Sequence, residues 1–337
     1  MANTPLIFFD PFPRTDAMVF TPDVQAACAE LGRVVSHFGS RAPDDLVESL
    51  LPDVDIIVGQ TAMPAERFDR APNLKAILNV KANWEPNIDY GEAHRRGIHV
   101  LSAAPAMAPA VAEYCLGQAI ALARGFAASD RLFRSGHERY GIAGNGTAYS
   151  LFGADVGFIG FGNLGRALLP LLQPFGCRVL AHDPLLSDRY LDLQGVQPTS
   201  LDGVLSKARF LFILAGVTSE NEGFLDRKKL EMIAEDASVV LGSRAEVVDF
   251  DAFLNLAGSG RFRAAVDVFP EEPVPQDAAF RQIPDVQFTA HLAGGMNASY
   301  ARIRDMMMDD MRQILKGHPP LRMQKAEPRQ AAMARSR

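Results

Sequence analysis

The 337-residue chain is short of the features that would commit it to a disulfide scaffold, a metal centre or a membrane. It has 3 cysteines, Cys28, Cys115 and Cys177, an odd number with no Cys-x-x-Cys pair. Reduced thiols and a cytoplasmic location are therefore expected rather than a disulfide framework. Histidines and cysteines are scattered without zinc-ligand spacing, so no metal is expected. The longest apolar run, Phe210 to Val217, falls well below the roughly 20 residues a bilayer span needs, and no membrane association is expected. The N-terminus lacks a basic stretch followed by a long apolar one, so no secretory signal is expected. A net charge of −6 lacks the basic excess of a general nucleic-acid binder, and no nucleic-acid partner is expected. Internal repeats and low-complexity tracts are also missing.

What is present is an ordinary globular composition, 48% hydrophobic and 22% charged, organised around one stretch. An apolar strand, Val156 to Ile159, runs into Gly160-Phe161-Gly162-Asn163-Leu164-Gly165, then into a helix from Arg166 to Leu172. A second strand, Arg178 to His182, ends at Asp183. In a Gly-x-Gly-x-x-Gly turn the three glycines do different things. Gly160 makes the tight strand-to-helix turn, Gly162 lets the backbone approach a pyrophosphate, and Gly165 allows close helix–strand packing. The N–H groups and positive dipole end of the helix then hold phosphate. Asp183 lies eighteen positions beyond Gly165, close to the spacing of about 20 for the acid that accepts from ribose hydroxyls. An acid there repels a 2′-phosphate, and Pro184-Leu185 supplies no arginine, so NAD is expected over NADP.

Elsewhere the pattern alternates. Strands are predicted at Leu6 to Phe9, Ile56 to Val58, Leu74 to Val80 and Ile98 to Leu101, with a helix over Asp44 to Leu51. A small, apolar and therefore buried helix is predicted from Pro109 to about Gly125, joining two α/β halves. Residues 126 to 150 read as a polar, glycine-rich surface excursion. Strands follow at Phe210 to Ala215, Ser238 to Leu241, Ala264 to Val268 and Val286 to Thr289. Helices lie between them at Leu201 to Ala208, Asp226 to Ile233 and Asp249 to Ala257. This is a doubly wound parallel sheet. A methionine-rich helix over Ala298 to Lys316 is expected to cross back onto the first domain. The tail from Pro319 to Arg337 has no periodicity and is expected to be poorly ordered.

Three reactive side chains stand just past strand ends, where open α/β sheets bind ligands: Arg244, Glu272 and His291. Hydride transfer between a nicotinamide and a 2-hydroxy acid needs a cation for the substrate carboxylate, which the planar fork of Arg244 suits. It needs an acid–base group working near neutral pH, which suits His291, and a carboxylate to orient that imidazole, which suits Glu272. Two other readings compete. One is an NAD(H)-sensing binding protein without catalysis; the other is a Rossmann enzyme using an S-adenosyl ligand.

The chain resembles the D-2-hydroxyacid dehydrogenases. The resemblance spans roughly residues 70 to 300. It rests on the Gly160 to Gly165 turn, Ser243-Arg244-Ala245 with Val248-Asp249 after it, Asp267-Val268-Phe269 with Glu272-Pro273, and Thr289-Ala290-His291-Leu292-Ala293-Gly294. It implies that Arg244 binds substrate, that Glu272 and His291 form the acid–base pair, and that Asp267 contacts the nicotinamide carboxamide. Gly160, Gly162, Asn163, Leu164, Gly165, Asp183, Gly242, Ser243 and Gly294 complete the implied cofactor contacts. It also implies a Rossmann domain over 107–296, inserted into a flavodoxin-like substrate domain formed by 1–106 and 297–337. A homodimer and activity of the hydroxypyruvate/glyoxylate reductase kind are implied as well. Two departures stand out. Ala290 replaces the usual proline before the histidine. The usual glycine-containing substrate loop reads Lys81-Ala82-Asn83-Trp84-Glu85-Pro86-Asn87-Ile88-Asp89, without glycine.

Overall fold

The computed structural model describes residues 4–333. The chain forms two compact units. One comprises the residues up to Ala108, Thr218–Glu220 and those from Gly295 onward; the other comprises Pro109–Val217 and Asn221–Gly294.

The first unit is built on strands β1 (Leu6–Asp10), β2 (Arg33–Ser36), β3 (Val54–Gly59), β4 (Ala76–Asn79) and β5 (His99–Ser102). They run parallel in the order β5-β4-β3-β1-β2, with the winding reversing beside β1. β1 is buried along its whole length and β4 likewise, the continuous apolar signature of a parallel strand covered on both faces. On one face lie Cys28 and the methionines of the helix Asn297–Leu315, among them Met307 and Met311; on the other lie Phe68, Ile88 and Tyr90. The methionine helix therefore belongs to the first unit's core, as its apolar spacing predicts.

The second unit holds β6 (Asp155–Ile159), β7 (Arg178–His182), β8 (Gln197–Pro198), β9 (Phe210–Ile213), β10 (Ser238–Leu241), β11 (Arg263–Val266) and β12 (Val286–Phe288). All pairings are parallel, in the order β12-β11-β10-β9-β6-β7-β8. β6 sits at the point where the winding reverses, and the fingerprint turn leaves its carboxyl end. This is the doubly wound arrangement that places dinucleotides at the switch point. The fold is thus two parallel α/β units, one Rossmann-like and one flavodoxin-like in strand order.

Four expectations need correction. The helix expected from Pro109 begins at Ala104 and runs to Arg124, with Pro109 inside it. Proline there removes one N–H donor from the ladder without ending the helix. This helix is the one among the described residues long and apolar enough to cross a membrane by length and composition; half of that stretch is buried inside the protein. The helix expected over Asp226 to Ile233 is only Arg227–Leu230, because Met232 and Ile233 close i→i−3 bonds to Lys229 and Leu230 instead of continuing the α ladder. Residues 126 to 150 lie on the surface as expected but are not uniformly polar: Gly125, at φ 63°, leads into a helix, Phe126–Arg134, on which Phe126 and Phe133 are exposed.

The tail is the fourth. Residues 319–333 are ordered into a strand β13 (Gln324–Lys325), antiparallel to β5, and a helix Pro328–Met333; residues 334–337 lie outside the described residues. The cause is a buried carboxylate on the preceding helix. Asp310, 0% exposed, accepts from the N–H groups of Leu321 (2.7 Å), Arg322 (3.0 Å) and Met323 (2.7 Å). Three charge-assisted bonds fix the start of the tail against its own helix, and Met323 and Ala331 bury behind them.

Candidate active site

The fingerprint turn is built as its glycines require. Gly160 takes φ +88°, and a Cβ there would lie 2.8 Å from the Ala215 backbone. Gly165 is tight for a different reason than expected: a Cβ would come within 2.8 Å of the Phe161 ring, so it relieves the turn itself rather than a helix–strand contact. Gly162 faces open space, with nothing within 4 Å of a Cβ position, and is the N-cap of the helix Asn163–Leu172. Unobstructed backbone at a helix N-terminus fits a pyrophosphate. Asn163 and Leu164 open that helix; Leu164 packs into the core, and Asn163 Oδ1 accepts from Arg166 at 3.3 Å.

Asp183 stands at the end of β7. Its Oδ2 accepts from Phe161 N–H at 2.8 Å and its Oδ1 from Leu185 N–H at 2.9 Å. One carboxylate thus ties the fingerprint turn to the second strand and keeps acceptor capacity on both oxygens. Beside it a cavity of about 440 Å³ is lined by His182, Asp183, Pro184, Leu186, Leu191 and Thr199, among others. A carboxylate at the rim of a partly apolar hollow suits a ribose and its purine.

Arg244, Glu272 and His291 all lie in the second unit, after β10, β11 and β12 respectively. His291 Nδ1 and Glu272 Oε2 are 2.7 Å apart. Glu272 Oε1 meanwhile accepts from Phe269 N–H at 3.0 Å, which fixes the carboxylate plane. With Nδ1–H given to Glu272, Nε2 is the ring atom left to hold or release a proton. Arg244 is half-buried. Burial pulls its guanidinium down from the usual arginine value, while the nearby carboxylates of Glu246 and Glu272 push it back up. Its Nη1 donates to the Ser243 carbonyl at 2.7 Å, and arginine remains a cation in such a setting. The structure therefore joins His291 and Glu272 directly and places Glu272 within electrostatic range of Arg244.

The supporting residues divide. Ser243 Oγ donates to the Ala215 carbonyl at 2.8 Å, locking the loops after β9 and β10 together. Gly242 is a packing position: a Cβ would sit 2.7 Å from Cys115 Sγ. Gly294 is buried in the turn after His291. Asp267 is 1% exposed and spends its carboxylate within the protein, accepting from Thr289 Oγ1 (2.6 Å), Leu292 N–H (2.9 Å) and Ala293 N–H (3.0 Å). His291 itself takes φ 52°, a left-handed conformation that strains a residue with a Cβ. Sequence reasoning missed the two hydroxyls behind this turn, Thr289 and Tyr114, which are hydrogen-bonded to each other. The signal that could have found them was a phenol in an otherwise small and apolar helix.

Lys81, Ala82, Asn83 and Trp84 lie in the first unit, on the loop after β4. Glycine is not needed there, since no residue of 79–89 takes a positive φ. Side chains shape the loop instead. Asn79 Oδ1 accepts from Lys81 N–H (2.8 Å), and Asn79 Nδ2 donates to the Asn83 carbonyl (2.7 Å). The buried Glu85 carboxylate takes both Lys81 Nζ and Arg41 Nη2, the latter at 2.9 Å. Burial raises that carboxyl, but the two cations outweigh it and hold it below the usual glutamate value. Trp84 packs edge-on against Tyr90, 6.0 Å between centroids.

A strand–glycine turn–helix at a Rossmann switch point, with a guanidinium and a histidine–glutamate couple past β10, β11 and β12 of the same sheet, is the arrangement of a dinucleotide-dependent oxidoreductase. Comparisons with known proteins agree. The family D-isomer specific 2-hydroxyacid dehydrogenase, NAD binding domain, matches residues 116–293. The solved structure of a phosphoglycerate oxidoreductase from Rhizobium etli is 37% identical, with a TM-score of 0.85, covering 96% of this chain and 98% of that one. A glyoxylate reductase from Korarchaeum cryptofilum is 26% identical over 274 residues, 80% of this chain and 82% of the relative. A D-3-phosphoglycerate dehydrogenase from Mycobacterium bovis is 28% identical over 293 residues, 86% of this chain but 54% of that longer protein. The chain belongs to the D-isomer specific 2-hydroxyacid dehydrogenase family, whose members are NAD-dependent oxidoreductases of small 2-hydroxy or 2-keto acids.

Proposed function

We propose that this chain interconverts a small 2-keto acid and the corresponding D-2-hydroxy acid with NAD(H), glyoxylate and hydroxypyruvate being the substrates to try first. The observation that carries this reading is the His291–Glu272 couple at 2.7 Å, with Glu272 inside the electrostatic reach of Arg244. The cofactor supplies or removes the hydride at C2. Arg244 holds the substrate carboxylate and polarises the C2 oxygen through its two-pronged guanidinium. During reduction His291 delivers the Nε2 proton to that oxygen, and Glu272, holding Nδ1–H, stabilises the imidazolium beforehand and fixes the tautomer. Oxidation runs the same steps backwards.

Preference for NAD over NADP rests on the Asp183 carboxylate beside the 440 Å³ cavity and on the absence of an adjacent arginine. A reducing, cytoplasmic setting is the reading favoured by three free thiols, two of them buried. A homodimer is supported by the helix Phe126–Arg134 and the segment just after it: Phe126, Phe133, Tyr140 and Ile142 stand 56%, 64%, 76% and 88% exposed. Apolar side chains concentrated on one excursion mark a protein–protein surface, and the second copy is the partner a closed two-fold pairing supplies.

The experiment is a panel of 2-keto acids assayed with NADH and with NADPH. Loss of nicotinamide absorbance with at least one small 2-keto acid, faster with NADH, is expected. No turnover with any member overturns the reading, and a faster rate with NADPH overturns the role given to Asp183.

A further inference from the structure

The turn carrying His291 is gripped from beneath by one residue. The Asp267 carbonyl accepts from His291 N–H at 2.9 Å, and its carboxylate accepts from the next two N–H groups, those of Leu292 and Ala293. This three-point hold is what keeps a non-glycine residue at φ 52°, a conformation that is strained when nothing opposes it.

The carboxylate has a third donor, and that donor has a donor of its own. Thr289 Oγ1 lies 2.6 Å from Asp267 Oδ1, and the Tyr114 hydroxyl meets Thr289 Oγ1 on its other side. The direction of this chain is fixed by chemistry. A carboxylate only accepts, so Thr289 donates to Asp267; its single proton is then spent, so Tyr114 must donate to Thr289. Burial pushes the Tyr114 phenol up to about 12, so it keeps the proton it donates across the working range. The chain runs from the helix Ala104–Arg124 through β12's exit to the floor of the His291 turn, with Tyr114, Thr289 and Asp267 all in the second unit.

We propose that Tyr114 and Thr289 are positioning residues of the acid–base site, setting the orientation of His291 through Asp267. The inference rests on the reading of His291 as the proton donor. It makes a distinction that mere core packing does not: loss of one hydroxyl disturbs proton delivery and leaves cofactor binding alone. Thr289→Val keeps the shape and removes both links, and Tyr114→Phe removes only the outer oxygen. Thr289→Ser restores the donor.

Kinetics supply the first readout. For Thr289→Val, kcat is expected to fall about 10-fold with KM for NADH within about twofold. Tyr114→Phe is expected to lose about threefold, and Thr289→Ser to stay within about twofold of the parent, as fits groups that orient a proton donor without touching substrate. The second readout needs no turnover: the carbon-bound Cε1–H resonance of His291 in protein labelled at histidine. It is expected to be single and sharp in the parent and in Thr289→Ser, and broadened or doubled in Tyr114→Phe and Thr289→Val. If the parent turns over no keto acid, the functional reading fails and the resonance still decides the positioning claim. An unchanged resonance with unchanged kcat in Tyr114→Phe overturns the proposal even if Thr289→Val does not fold.

Discussion

Two other residues constrain His291. Glu272 holds one ring nitrogen, and Asp267 holds the backbone N–H groups of His291 and of the two residues after it, Leu292 and Ala293. Replacing His291 or Arg244 by alanine is expected to lower kcat/KM by about 10² or more. Steady-state kinetics check this, and parent-like rates in either variant would remove the assigned role. In the sequence these residues stand out by type and order, a guanidinium, a carboxylate and an imidazole past successive strand ends after a glycine fingerprint, and the structure pairs two of them, Glu272 and His291, directly. Asp267 was only half readable. Its place in the motif shows in the sequence, but its engagement by Leu292 and Ala293 depends on the left-handed turn at His291, which no local pattern announces. The loop of residues 81–89 shows the converse. The lack of glycine there reads as a departure, yet the backbone needs no left-handed residue because Asn79 and Glu85 brace it with side chains.

Elements with strong local signals were legible: β7 spans Arg178–His182, where the apolar run predicts it, and the methionine helix spans Asn297–Leu315. The tail was not, because its order comes from Asp310, a residue on a different element that looks from sequence like one acid among several on a helix. Asp310→Ala removes the acceptor of three backbone donors, the N–H groups of Leu321, Arg322 and Met323. A loss of about 2–4 kcal/mol is expected, at the upper end for hydrogen bonds to a buried charge, with proteolysis of the tail in the otherwise native protein; an unchanged urea midpoint would contradict it. The same junction has a pH dependence. Burial, aided by the Lys325 charge on β13, holds the His99 imidazole below the usual 6.5, with Asp310 opposing. A histidine with a depressed folded value resists protonation, so its contribution is complete above about 6.5 and declines as the pH falls through the folded value. His99→Gln is expected to flatten the fall in urea stability on going below about pH 6.5, and an identical slope in the variant would contradict this.

At the scale of the whole molecule, each unit carries its own features. The second carries the glycine turn and the His291–Glu272 pair; the first carries the loop after β4, braced by Lys81, Glu85 and Arg41. At this scale the exposed apolar excursion of residues 126–142 predicts self-association. Phe133→Glu is expected to shift sedimentation from dimer to monomer at micromolar concentration, and a parent protein sedimenting as a monomer would refute the interface. The proton-transfer assignment at the heart of the proposed reaction is tested by the rate of NADH oxidation with the best 2-keto acid, compared between the parent and His291→Ala at saturating cofactor. Turnover in the parent and a loss of about 10² or more in the variant are expected; equal rates in the two would contradict the assignment.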